Sequence, residues 1–140
     1  MGNKKNSISM AFVSSLKYTE LSVLVLAYIK KTLGIDEDEF FEIEISLREA
    51  VNNAIVHGNA QDLGKRVHVD FEWEKSLLRM RVRDEGERKV SFEQIEQKVS
   101  RCDLLSANGR GIMIIKNYMD RFEFRCLDRG CEVFMEKKLS

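Results

Sequence analysis

The sequence predicts an α+β fold: a two-layer α/β sandwich whose mixed, mostly antiparallel sheet is covered on one face by helices. Three observations predict it. Apolar residues alternate with polar ones in short stretches, as in half-buried strands, and recur at helical spacing in longer ones. These stretches run in the order strand, two helices, two strands, loop, helix, two strands, so hairpin-joined strands lie between helices. The 140 residues contain no proline, no Gly/Ser-rich linker, no repeat and no low-complexity tract, which makes residues 1–140 a single domain.

Ser7–Val13 alternates Ile8, Met10 and Phe12 with smaller or polar residues and reads as the first strand. Ser14 or Ser15 can cap the helix that follows. Its apolar face is read as Leu16, Leu21, Leu24, Ala27, Tyr28 and Leu33, and Gly34 ends it. Asp36 or Asp38 opens a longer helix with Phe40, Phe41, Leu47, Val51, Ala54 and Ile55 at apolar positions. Acidic residues crowd its first turn, where the helix dipole favours them, and Gly58 stops it. After the turn 59–64, Val67, Val69 and Phe71 alternate with His68, Asp70 and Glu72. Leu78, Met80 and Val82 alternate with three arginines, and Glu74–Ser76 joins the two strands as a hairpin. A short helix is expected around Phe92–Val99, with loop over Ser100–Asn108. A third main helix is expected over Gly111–Met119. Arg121–Leu127 and Gly130–Lys138 read as a closing hairpin turning through Asp128–Gly130.

Composition narrows the function. A hydrophobic fraction of 44% and a charged fraction of 33% are globular values. Lys plus Arg and Asp plus Glu both number 23. The basic surplus of a nucleic-acid binder is missing, so no direct nucleic-acid partner is expected. Cys102, Cys126 and Cys131 are odd in number and irregular in spacing, which reads as reduced thiols of a cytoplasmic protein. The start MGNKKNSISMAFVSS lacks the apolar stretch of a signal peptide. Leu21–Ile29 is too short to cross a bilayer, and the myristoylation pattern fails for want of Ser or Thr at position 6. No membrane association is expected.

Three segments can carry chemistry. In SLREAVNNAIVHG, Glu49 and Asn53 are four apart and share a helical face. A carboxylate beside a carboxamide suits a hydrated Mg²⁺ whose shell is completed by substrate phosphates. The carboxylate could also accept a proton from an attacking hydroxyl. Taken alone, the segment reads as a polar helix flank. In VRDEGE, Asp84 ends a strand and Gly86 follows in a tight turn. A carboxylate there can accept a hydrogen bond from an exocyclic amine such as adenine's, although an ordinary Asp–x–Gly turn has the same residues. In ANGRGIMIIKNYMD, Gly109 and Gly111 precede a helix, where backbone N–H groups can cradle phosphate, and Arg110 adds a charge. Neither a Walker nor a Rossmann motif is present, and a flexible loop would also use these glycines.

In combination and in this order, the segments resemble the histidine-kinase-like (GHKL, or Bergerat-fold) ATPase superfamily. They look most like its bacterial anti-sigma-factor serine-protein kinases. EAVNNAIVHG is similar to that family's N box, VRDEG to its first glycine box, and GRGIMIIKNYMD to its second. The resemblance covers nearly the whole chain. It implies ATP and Mg²⁺ as cofactors, with Asn53 holding Mg²⁺ and Glu49 acting as base toward a protein hydroxyl. It implies that Asp84 binds the adenine amine, that Gly86 shapes the adenine pocket, and that Gly109, Arg110 and Gly111 border the phosphates. A lid would be drawn from Glu87–Asn108. The implied substrate is a Ser or Thr of an anti-sigma-factor antagonist, and the implied partner is a sigma factor, often bound by a homodimer of the kinase.

Two positions depart from the family pattern. Arg88 stands where the first glycine box usually has its second glycine, and Cys131 stands where many relatives carry an adenine-binding Thr. Cys131 is therefore taken as a weaker member of the nucleotide site, and a lower nucleotide affinity is expected. These departures keep an alternative open: a catalytically weak or inactive module that sequesters a protein partner. His57 reads as capping or packing, Met113–Met119 as core, Trp73 as packed or partly exposed, and Cys102 as an ordinary thiol in the lid.

Overall fold

The computed structural model of the chain describes residues 6–86 and 107–140. Its strands are β1 (Asn6–Val13), β2 (Arg66–Glu74), β3 (Leu77–Arg83), β4 (Arg121–Cys126) and β5 (Cys131–Lys138). Its helices are α1 (Thr19–Leu33), entered through a 3₁₀ turn at Leu16–Tyr18, then α2 (Glu37–Asn53) and α3 (Ala107–Tyr118). The strands form one sheet in the order β1-β2-β3-β5-β4. Every pairing is antiparallel, so the parallel component of a mixed sheet is absent among the described residues. The expected lid, with its helix over Phe92–Val99, Arg88 and Cys102, lies outside the described residues except for Ala107 and Asn108, which open α3.

Period-two alternation sends one set of side chains to each face of the sheet. Phe12, Val67, Val69, Phe71, Trp73, Leu78, Met80, Val82, Val133 and Met135 turn inward and share one core with the helices. The register places Val69 opposite Val82 and Phe71 opposite Met80. The helices contribute Leu26 and Ile29 from α1, Ile43, Leu47 and Val51 from α2, and Ile115 from α3, with Met119 just past its end. Burying each such side chain contributes about 1.5–3 kcal/mol. The other sheet face carries crossed charges: Arg79 contacts Glu136 at 2.8 Å and Glu72 at 3.3 Å. Phe134 is buried there because the guanidinium groups of Arg81 and Arg121 lie over its ring, at 4.9 and 5.4 Å.

α1 departs from its expected face. Its buried side is Thr19, Ser22, Val23, Leu26 and Ile29, while Leu16, Leu21, Leu24 and Tyr28 are exposed. The helix is apolar on nearly every side, so its periodicity did not discriminate between stripes. Close packing on α2 selects the stripe with small polar members. The Thr19 hydroxyl donates to Asn52 Oδ1 at 2.8 Å and the Ser22 hydroxyl to the Thr19 carbonyl at 2.7 Å, which satisfies both in the interior. Neither Ser14 nor Ser15 caps α1. Ser14 is buried and donates to the Ile55 carbonyl instead. Gly34 ends the helix in a left-handed cap, as expected.

Asp36 caps α2, its Oδ1 accepting from the Glu39 N–H at 2.8 Å. Phe41, placed among the apolar positions, is exposed, and Ile43 fills the core instead. The helix runs on past Asn53 into a single π-helical turn, Ala54–Gly58, closed by the Asn59 N–H donating to the Ala54 carbonyl. Trp73 is buried, His57 is exposed, and Ile112 and Ile115 of α3, with Met119 just after it, are core residues. Among the described residues, no helix is long and apolar enough to cross a membrane.

Candidate functional site

The C-terminal half of α2 and its π turn run beside two other segments, the start of α3 and the loop after β3. Glu49 and Asn53 lie on α2 one turn apart, both half-buried. α3 packs directly on them at Gly111. A Cβ added there would lie 2.6 Å from Glu49 Oε2 and 3.2 Å from Asn53 Nδ2. The carboxylate and carboxamide thus occupy the space a side chain at 111 would need. α3 begins at Ala107, four residues before the expected start. Gly109, Arg110 and Gly111 therefore lie in its first turns rather than ahead of it. Gly111 leaves open the space that the ends of the Glu49 and Asn53 side chains occupy.

The second half of the site centres on Asp84, just past β3 and 7% exposed. Its Oδ1 accepts from the backbone N–H of Gly86 at 2.9 Å and of Cys131 at 3.2 Å. Its own N–H donates to the Cys131 carbonyl at 3.0 Å. Cys131 therefore serves Asp84 through its main chain, a service any residue but proline could give. Burial pushes the Asp84 carboxyl above the usual Asp range, against the opposing pull of the Gly86 and Cys131 N–H groups and of Lys65. Three glycines enclose it. A Cβ at Gly58 would strike the Asp84 carboxylate, one at Gly86 the Gly58 carbonyl, and one at Gly130 the Asp84 carbonyl. Gly130 also has φ +79°, the left-handed conformation that turns the β4–β5 hairpin.

One continuous stretch of chain, Glu49 to Gly58, thus touches both centres. Nine residues at helical rise span roughly 13 Å along this stretch. The structure brings Glu49, Asn53 and Gly111 together, and separately Asp84, Gly86 and Cys131. Gly58 and Gly130 belong to the second group, although sequence reading took them only as a helix stop and a hairpin turn. Neither reading contains the signal that both flank one carboxylate.

Comparisons with known proteins place the chain among sequences of one family. Residues 12–137 match the family described as histidine kinase-like ATPase domain. The chain is 30% identical over 142 residues to the anti-sigma F factor of Oceanobacillus iheyensis, covering 97% of this chain and 94% of that protein. It is 28% identical over 117 residues to the anti-sigma F factor of Bacillus subtilis, covering 83% of this chain and 80% of that one. With the anti-sigma F factor of Geobacillus stearothermophilus the identity is 27% over 135 residues, covering 95% of this chain and 92% of that protein.

Proposed function

The chain belongs to the histidine kinase-like ATPase family, beside the anti-sigma factors, and we propose that it is an ATP-dependent serine/threonine-protein kinase and anti-sigma factor of a cytoplasmic partner-switching system. Its substrate would be an anti-sigma-factor antagonist and its second partner a sigma factor. The observation that carries this reading is the packing of Gly111 against Glu49 and Asn53, because it sets a carboxylate and a carboxamide beside the first turns of α3.

The donor set fits the cofactors. A carboxylate and a carboxamide are hard oxygen donors, and Mg²⁺ is held by one or two such groups plus substrate phosphates. Mg²⁺, when bound, supplies charge neutralisation for the phosphates. Asn53 would hold the ion. Glu49 would accept the proton of the antagonist's Ser or Thr hydroxyl as that oxygen bonds to the γ-phosphorus and ADP leaves. Asp84 would accept from the adenine 6-amine, with Gly86 and the Cys131 main chain fixing its carboxylate. Gly109, Arg110 and Gly111 would border the phosphates. Leu21, Leu24 and Tyr28 form an exposed stripe on α1 and supply an apolar surface for a homodimer.

The deciding experiment is transfer of the γ-phosphate to the antagonist. Glu49→Ala should abolish transfer while ATP still binds, and near-normal transfer by that variant would exclude Glu49 as the base. Asn53→Ala should lose Mg²⁺-dependent nucleotide binding in calorimetry run with and without the metal. Wild-type protein that fails to bind millimolar Mg·ATP would instead favour the alternative of a sequestering module.

A further inference from the structure

Asn59 is buried to 1% exposure directly after the π turn, and all its polar groups are engaged. Its N–H closes the π turn on Ala54 and its carbonyl accepts from the Asp62 N–H. Its side chain reaches two distant segments. Nδ2 donates to the Arg66 carbonyl at 2.9 Å, and Oδ1 accepts from the Glu85 N–H at 2.7 Å. Glu85 completes the frame from the other side. Its Oε1 accepts from the Arg66 N–H at 2.9 Å and its Oε2 lies 2.7 Å from His68 Nε2. Both main-chain groups of Arg66, the first residue of β2, are thus taken by the side chains of Asn59 and Glu85.

Glu85 sits between Asp84 and Gly86, so this frame fixes the loop that carries the base-recognition carboxylate. The loop has little freedom elsewhere. Gly86 packs on the Gly58 carbonyl, and Asp84 Oδ1 is committed to two N–H groups. Oδ2 carries neither of those bonds and is the oxygen left for an incoming amine. The turn that follows Asn59 is held in a costly conformation. Ala60 and Gln61, the next two residues, have φ of 52° and 56°. Left-handed backbone at a non-glycine residue costs about 1–2 kcal/mol each and persists where surrounding bonds enforce it, characteristically near functional sites.

We propose that Asn59, with Glu85 as its partner, is a positioning residue for recognition of the nucleotide base, holding residues 84–86 so that Asp84 Oδ2 meets the exocyclic amine. This rests on the reading of Asp84 as the base-recognition group. Asn59 itself touches no nucleotide.

The test compares dissociation constants for Mg·ATP and Mg·ITP, measured by calorimetry on the full chain. ITP carries an oxo group where ATP carries the amine. Wild type should prefer ATP, and Asp84→Asn should remove the preference. Asn59→Ala should weaken ATP binding about tenfold, the order of one well-placed hydrogen bond to a charged group, and ITP binding less than about twofold. A role confined to stability would lower the melting temperature and leave the ATP-to-ITP ratio unchanged, which overturns the proposal. Because Asn59 is buried, Glu85→Ala and Glu85→Gln form a second pair. Alanine should reduce the ratio about threefold and glutamine, which can still accept from Arg66, should restore it. An unchanged ratio in Glu85→Ala also overturns the proposal. If wild type shows a preference that Asp84→Asn removes while Asn59→Ala and Glu85→Ala keep it, only the positioning role falls. If wild type shows no preference, the base-recognition reading falls and takes the proposal with it.

Discussion

Replacing Gly111 by alanine should separate the chemistry of this site from the stability of its fold. The added methyl would stand 2.6 Å from Glu49 Oε2, against the 3.4 Å at which ordinary contact begins, so the carboxylate must retreat by about 0.8 Å. The obstacle is the end of a flexible side chain rather than main chain, and the helices can stay in place while Glu49 rotates. Alanine is also the better helix former, by about 0.5–1 kcal/mol over glycine. The melting temperature should therefore hold or rise. With Glu49 as the proposed base, the reacting geometry should be lost. Displacement of a reacting group by about 1 Å costs on the order of 10²-fold in rate, or about 2.7 kcal/mol of barrier. Initial rates of phosphate transfer to the antagonist, measured beside a thermal melt, give both quantities. A variant within about threefold of the wild-type rate, less than 1 kcal/mol of barrier, would refute the placement of the transfer site between α2 and α3.

The remaining predictions concern Asp84, the β4–β5 turn and the α2 cap. The folded-state pKa of Asp84 is raised by burial, so its protonated form favours the fold. That contribution is full below the ordinary Asp pKa and is lost as pH rises through the raised folded value. Asp84→Asn, which keeps an acceptor for Gly86 and Cys131, should be at least as stable as wild type near neutral pH. The variant should also lack this component of pH dependence in urea melts between about pH 4 and pH 7; a marked loss of stability at neutral pH would contradict the assignment. Gly130→Ala faces both a left-handed φ and a collision with the Asp84 carbonyl. It should cost more than about 2 kcal/mol in urea unfolding, and a cost below 1 kcal/mol would count against the turn geometry. Asp36→Ala removes the cap on the Glu39 N–H and should cost about 1 kcal/mol without altering nucleotide affinity measured by calorimetry.

Much of this architecture is legible in the amino-acid sequence. Ile8, Met10 and Phe12, then Val67, Val69 and Phe71, then Leu78, Met80 and Val82 all turn inward, because strand alternation is enforced residue by residue. Glu49 and Asn53 share a face for the same kind of reason, four residues being about one helical turn. The buried stripe of α1 is not legible, because Leu21, Leu24 and Tyr28 repeat as regularly as Ser22, Leu26 and Ile29. Hydrophobicity alone would bury the wrong set. The Thr19 hydroxyl bond to Asn52 of α2 and close packing against that helix mark the buried one. The first four residues of α3 are not legible either, because Gly109 and Gly111 read as loop, and glycine's weak helix propensity does not reveal that side chains of a neighbouring helix fill the space.

The sequence by itself determined the strands, the antiparallel hairpins and the spacing of Glu49 and Asn53, since these follow from local periods of two and 3.6 residues. It also supplied the three segments whose order resembles one ATPase family. Tertiary structure alone decided that Gly111 stands against Glu49, that Gly58, Gly86 and Gly130 enclose Asp84, and that Asn59 and Glu85 clasp the ends of Arg66. These partners are separated by up to 62 positions in the numbering of Glu49 and Gly111. Their meeting depends on the order of strands in the sheet and on how closely α2 can approach what lies beside it. No local period encodes either quantity.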